Sequence, residues 1–245
     1  HFTHATSSGF LLASLFVVAI SSWFLLRKEH ILFAKRSIAV ACIFGLLGSL
    51  FVAFTGDEHA YVTASTQPMK LAAMEGLWDG ETGAGLVVAG APNPFKELGD
   101  DQDGFIFDIK VPGLLSILAT RELDGFVPGI NDLVYGNAEQ NIVGVDEKIR
   151  RGKIAVSSLA DYKAAQKAGS EVGAQVALQE FDKHRDFLGY GYLHSLEQAV
   201  PPISLVFYAF RVMVGLGTFF ILLFLVYFYL SYRNKLENQF LLHIV

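Results

Sequence analysis

A single cysteine, Cys42, is all the thiol this 245-residue chain contains. No disulfide can form within it. Cys42 also sits inside an apolar run, where it reads as a small buried side chain. Charged residues are scarce, at 18% against 52% apolar. The seven histidines include no pair at zinc-ligand spacing, so a zinc hydrolase has little support. There is no internal repeat and no low-complexity tract. The start His1-Phe2-Thr3-His4 has no initiator Met, no basic leader and no evident signal-cleavage site. The chain is expected to be a fragment of a larger protein, ending in the start of a truncated apolar segment at 240–245.

The apolar residues are concentrated in three runs. Residues 5–26, 37–55 and 203–231 carry no charge except Arg211, and each reaches the roughly 20 residues needed to cross about 30 Å of hydrocarbon. Arg27, Lys28, Lys35 and Arg36 lie between the first two runs, and Arg233 and Lys235 follow the third. Basic residues at helix ends are retained on the cytoplasmic side, which puts residues 57–202 outside. That segment holds 22 acidic and 12 basic residues, a balance of −10, while the remainder is net positive. The charge asymmetry agrees with the orientation, and no nucleic acid is expected as a partner. The predicted architecture is an all-α membrane protein: three transmembrane helices, as a piece of a larger bundle, with a large extracytoplasmic loop domain, mostly helical with turns.

Within the loop, 66–78 reads as a helix of good formers, and 79–104, rich in Gly, Pro, Asn and Asp, as turns. Residues 105–111 alternate as a short strand does, and 129–185 carry helical spacing with many charges. Pro201-Pro202 starts the third span.

Ionisable side chains inside a bilayer normally have partners. Arg211 therefore calls for an anion or a strong dipole, such as the propionates of a haem. Met213, two residues on, reads by itself as helix packing. Depth adds a second reading. His4 lies 23 residues before Arg27 and Met213 lies 20 before Arg233, so at about 1.5 Å per residue their heights differ by only about 4.5 Å. One iron could be held between them, as Met/His ligation of haem allows. Small residues flank both, Ser7, Ser8 and Gly9 on one side and Gly215 and Gly217 on the other. His1 is a weaker candidate. His30, His59, His184, His194 and His243 read as solvated or structural.

Lys70 and Glu75 stand five apart and so diverge by about 140° around a helix, which excludes simple mutual pairing. Their surroundings, Leu71, Ala72, Ala73, Met74, Leu77 and Trp78, form an apolar surface. An interfacial amphipathic helix explains this. So does a pocket for a lipid-borne ring, in which a carboxylate takes a proton and an ammonium steadies an oxyanion.

Taken in order, Phe2-Thr3-His4, Gly56-Asp57-Glu58, Gln67-Pro68-Met69-Lys70-Leu71-Ala72-Ala73-Met74-Glu75-Gly76 and Ala209-Phe210-Arg211-Val212-Met213 resemble subunit I of the cytochrome bd quinol oxidases. Ile117-Leu118-Ala119-Thr120-Arg121 and Leu188-Gly189-Tyr190-Gly191 extend the resemblance, the latter toward the class with a long Q loop. It implies that His4 and Met213 are axial ligands of a low-spin haem b, with Arg211 stabilising its reduced form, and that Lys70 and Glu75 serve quinol oxidation. It further implies ubiquinol or menaquinol as substrate, subunit II as partner, and residence in the bacterial cytoplasmic membrane. The high-spin haem b and haem d would be ligated outside this stretch, so the fragment is not expected to be active alone. The competing expectation is a non-redox, membrane-anchored sensor or ligand-binding module.

Overall fold

The computed structural model describes residues 2–236. His1 and the apolar stretch expected at 240–245 lie outside the described residues. The chain divides into two compact units, 1–61 with 210–245, and 62–209.

Helix α1 (Phe2–Leu26) and helix α2 (Ile31–Thr66) belong wholly or mainly to the first unit, as does most of α8 (Ile203–Tyr232). All three spans are long and apolar enough to cross a membrane. The buried positions of α1 are Ser7, Leu11, Ser14, Val18, Ser21, Ser22 and Leu25, a three-and-four spacing that lines one face. On α2 they are Ala34, Ile38, Ala41, Cys42, Gly45 and Ser49. Such small residues let helix backbones approach where lipid removes the hydrophobic drive for association. A Cβ on Gly45 would collide with the Phe224 ring, and Phe224 is fully buried. Two of the inward serines satisfy their hydroxyls within the helix: Ser7 Oγ donates to Thr3 O at 2.7 Å and Ser14 Oγ to Phe10 O at 2.9 Å. Helix α2 does not stop near residue 55; its polar Gly56-Asp57-Glu58 stretch remains helical, and the helix ends at Thr66, ahead of Pro68.

In the second unit, short helix α3 (Pro68–Glu75) begins with proline at its first position, where the missing N–H is harmless, and ends on Gly76 in the left-handed region (φ 64°). It carries Leu71 into one apolar cluster, with Ala84, Leu115, Ala119 and Val127, and Ala72 into another, with Trp78, Ile130, Leu133, Val134, Val145 and Ile149. Strand β1 (Glu81–Thr82) precedes β2 (Leu86–Pro92) and β3 (Phe105–Val111), which pair antiparallel. Helix α4 (Leu114–Thr120) leads to β4 (Phe126–Val127), which pairs with β1. The strand expected at 105–111 is present. Its partner β2 falls inside the stretch expected to hold only turns, because pairing with β3 overrides the weak local signal of Ala89-Gly90-Ala91-Pro92, with register irregularities at both flanks.

Helices α5 (Ile130–Tyr135), α6 (Val145–Lys167) and α7 (Glu171–His184) fill the region expected to be helical, followed by 3-10 turns over Arg185–Tyr192 and Glu197–Ala199. Two polar side chains tie this unit together. Asp132 accepts from the Gly80 and Gly129 N–H groups at 2.7 and 3.0 Å and from Asn137 Nδ2 at 2.7 Å. Buried Ser116 accepts from Ala84 N and donates to Gly125 O, both at 2.7 Å. Gly152 of α6 meets Gly191 backbone to backbone, so a Cβ at either would clash. The Leu188-Gly189-Tyr190-Gly191 segment is thereby clamped to α6.

Candidate functional site

Helix α1 presents His4 to the upper part of α2. His4 Nδ1 lies 3.0 Å from Thr55 Oγ1. The Thr55 hydroxyl has one hydrogen, and that hydrogen is directed back into its own helix, toward Phe51 O at 3.0 Å and Val52 O at 3.2 Å. When that hydrogen stays in the helix, the oxygen accepts from His4 Nδ1–H and Nε2 keeps its lone pair. A hydrogen bond of this kind, on the nitrogen that does not face the metal, orients histidine ligands in metal sites. Gly56 gives the ring room, since a Cβ there would sit 3.4 Å from His4 Cε1.

The structure adds one residue to this neighbourhood. His59, assigned from sequence to a solvated or structural role in the outer segment, is still on α2, and its ring centroid is 5.0 Å from that of His4. The signal was the spacing Thr55-x-x-x-His59, which lines up on one helix face only if α2 continues past residue 55.

On α8, the Arg211 guanidinium carbon lies 5.2 Å from the Phe210 ring centroid, and Met213 is 54% exposed, leaving its thioether accessible. A Cβ added to Gly9, Gly215 or Gly217 would meet no heavy atom within 4 Å. A haem needs an imidazole lone pair, an accessible thioether and open space beside the helices carrying them. Each of these side chains is chemically compatible with that group.

The second unit treats Lys70 and Glu75 differently. Lys70 is exposed and lines a cavity of about 540 Å³ together with Met69, Leu133, Lys148, Tyr190 and Gln198. Glu75 is only 3% exposed and faces a smaller depression of about 130 Å³, beside Gly76, Trp78, Phe105 and Lys110. The divergence anticipated from their spacing is realised, and the two side chains serve different cavities. Lys148, half-buried in the larger one, has its Nζ 5.5 Å from the Tyr190 ring centroid. Burial holds its ammonium pKa below the usual lysine value.

The profile of the family described as cytochrome bd terminal oxidase subunit I matches residues 1–245. The chain belongs to this family. It is similar to cytochrome bd-II ubiquinol oxidase subunit 1 of Escherichia coli (strain K12), 32% identical over 258 residues, covering 97% of this chain and 46% of the relative. It is 29% identical over 238 residues to cytochrome bd ubiquinol oxidase subunit 1 of Bacillus subtilis (strain 168), covering 97% of this chain and 38% of the relative. Among solved structures, the bd oxidase of Geobacillus thermodenitrificans superposes with a TM-score of 0.48 at 18% identity, covering 97% of this chain and 56% of that one. The chain thus spans less than half the length of these two curated bd subunit I relatives.

Proposed function

We propose that this chain is the electron-entry part of a membrane quinol:oxygen oxidoreductase. It binds quinol at the loop domain, on the outer face of the bacterial cytoplasmic membrane, and delivers electrons to a low-spin haem b held by His4 and Met213. A haem bound there would supply a one-electron acceptor. The high-spin haem b, haem d and contacts to subunit II fall to parts of the subunit beyond this chain.

The observation that carries this reading is the hydrogen-bonding state of His4. Thr55 Oγ1 lies 3.0 Å from His4 Nδ1, a contact that engages Nδ1 rather than Nε2, on a helix of a chain belonging to a bd oxidase family. Arg211 contributes a permanent positive charge two residues from Met213, favouring negative groups such as propionates and the added electron. Lys70 donates hydrogen bonds to ring oxygens and favours the deprotonated quinol. Glu75, secluded from bulk water and facing a different depression from Lys70, takes up the proton after it has left the quinol rather than by direct contact with the ring.

The test is a reduced-minus-oxidised spectrum of the complete subunit. Met213→Leu is expected to alter the low-spin haem b bands and His4→Ala to abolish them. Spectra unchanged in both variants would overturn the ligand assignment, and a complete subunit without haem would favour the sensor reading instead.

A further inference from the structure

The larger cavity of the second unit has a chemical bias that Lys70 alone does not explain. Residues 57–202 hold 22 acidic and 12 basic residues, yet among the described residues lining the cavity there are two lysines, Lys70 and Lys148, and no carboxylate. Lysine ammonium groups donate and cannot accept. Gln198 uses its Oε1 to accept from the His194 N–H at 2.8 Å, which leaves the NH2 end as its donor. The charged lining is thus all cationic, beside the neutral polar groups of Thr66, Gln67, Tyr190 and Gln198, while Met69, Leu133, Val145 and Val206 supply an apolar wall. A site of this make-up suits a flat apolar ring whose rim carries oxygen acceptors. At about 540 Å³ it lies within the usual range for small-molecule pockets, roughly 300–1,000 Å³.

Position matters as much as composition. Lys148 is on α6, in the segment between 129 and 185 to which sequence gave no role. The Gly152–Gly191 contact one helical turn away anchors the Tyr190 segment to the same helix, and the Lys148 ammonium is held over the Tyr190 ring. Half-buried as it is, this ammonium lacks much of its water, so a ligand oxygen would restore interaction that burial has removed.

Resting on the quinol reading above, we infer that Lys148 is a second quinol-binding ammonium, which with Lys70 and the Gln198 amide holds the ring oxygens of the quinol against the Tyr190 segment. Helix α6 then forms part of the substrate site.

The test uses the complete oxidase and a short-chain quinol. Lys148→Met is expected to raise KM about tenfold, the scale of one charge-assisted hydrogen bond, with kcat, haem spectrum and thermal midpoint retained. Lys148→Arg is expected to recover most of the affinity. Without turnover, a photoreactive azidoquinone is expected to label the peptides around 145–151 or 186–193 in the wild type. The labelling result stands even if the methionine variant fails to assemble. An unchanged KM in an assembled Lys148→Met enzyme, or labelling confined to other peptides, overturns the inference. Displacement of the label by inorganic phosphate also overturns it, by revealing an anion site. If Lys70→Met impairs quinol oxidation while Lys148→Met does not, only this inference fails. If the wild type neither oxidises nor binds quinol, the functional reading itself fails.

Discussion

The two units differ in how much of their buried surface comes from small residues. In the helical unit the inward positions are largely Ser, Ala, Gly and Cys, as in Ser14, Ser21, Ala34, Cys42 and Gly45, while Phe16 is 67% and Leu47 62% exposed. In the unit spanning 62–209 the interior is Trp78, Ile130, Leu133, Val134 and Val145, and most charges face outward. The same physics gives both patterns. Water expels apolar surface and so selects large apolar interiors. Lipid tails do not discriminate between Leu and themselves, so helices associate through close backbone approach and hydrogen bonding. Phe224 shows the complement: a large ring is admitted exactly where Gly45 leaves a hole.

The contrast would break most visibly at paired leucines. Leu133→Ala, at a site 3% exposed, is expected to cost about 2–5 kcal/mol through lost burial and the cavity left behind. Leu47→Ala, in the helical unit, should change stability by no more than about 0.5 kcal/mol. Thermal unfolding of both variants in detergent checks this, and equal losses would show that Leu47 is packed as tightly as Leu133. A smaller effect sharpens the helical side: Gly45→Val forces the Phe224 ring to shift, with an expected loss of about 1–3 kcal/mol from overpacking. The same unfolding experiment reads it.

The smallest effect concerns charge. Glu147 accepts two hydrogen bonds from Arg150 and one from Arg151, and these lower its pKa from 4.5 to about 2. A carboxylate depressed in the folded state adds stability above its unfolded pKa, and loses it as pH falls through the folded one. Glu147→Gln should therefore flatten a slight acid-side decline between pH 4.5 and about 2. An identical pH profile in the wild type and the variant would mean the solvent-exposed pair contributes nothing measurable.

Legibility in the sequence followed the same divide. The three long helices were readable because hydropathy over 20 residues is a strong local signal, and β3 was readable from its alternation. The extension of α2 was not, because Gly56-Asp57-Glu58 marks where apolar sequence ends, and a helix can outlast its apolar run. His59 was missed with it. Strand β2 was hidden because its pairing is set by a partner some 20 residues away rather than by its own composition. The divergence of Lys70 and Glu75 was readable from their spacing, but the cavity joining Lys70 to Lys148 was not, since it brings together residues 78 positions apart.

The hydroxyl of Thr55 carries one last implication. Its 3.0 Å contact with Nδ1 favours one orientation of the His4 ring before any ligand arrives. A free imidazole would give up torsional entropy on capture; this one has little left to lose, so a larger fraction of the intrinsic bond strength remains as affinity. If His4 holds the haem as proposed, Thr55 would tune how tightly it does so without touching the iron.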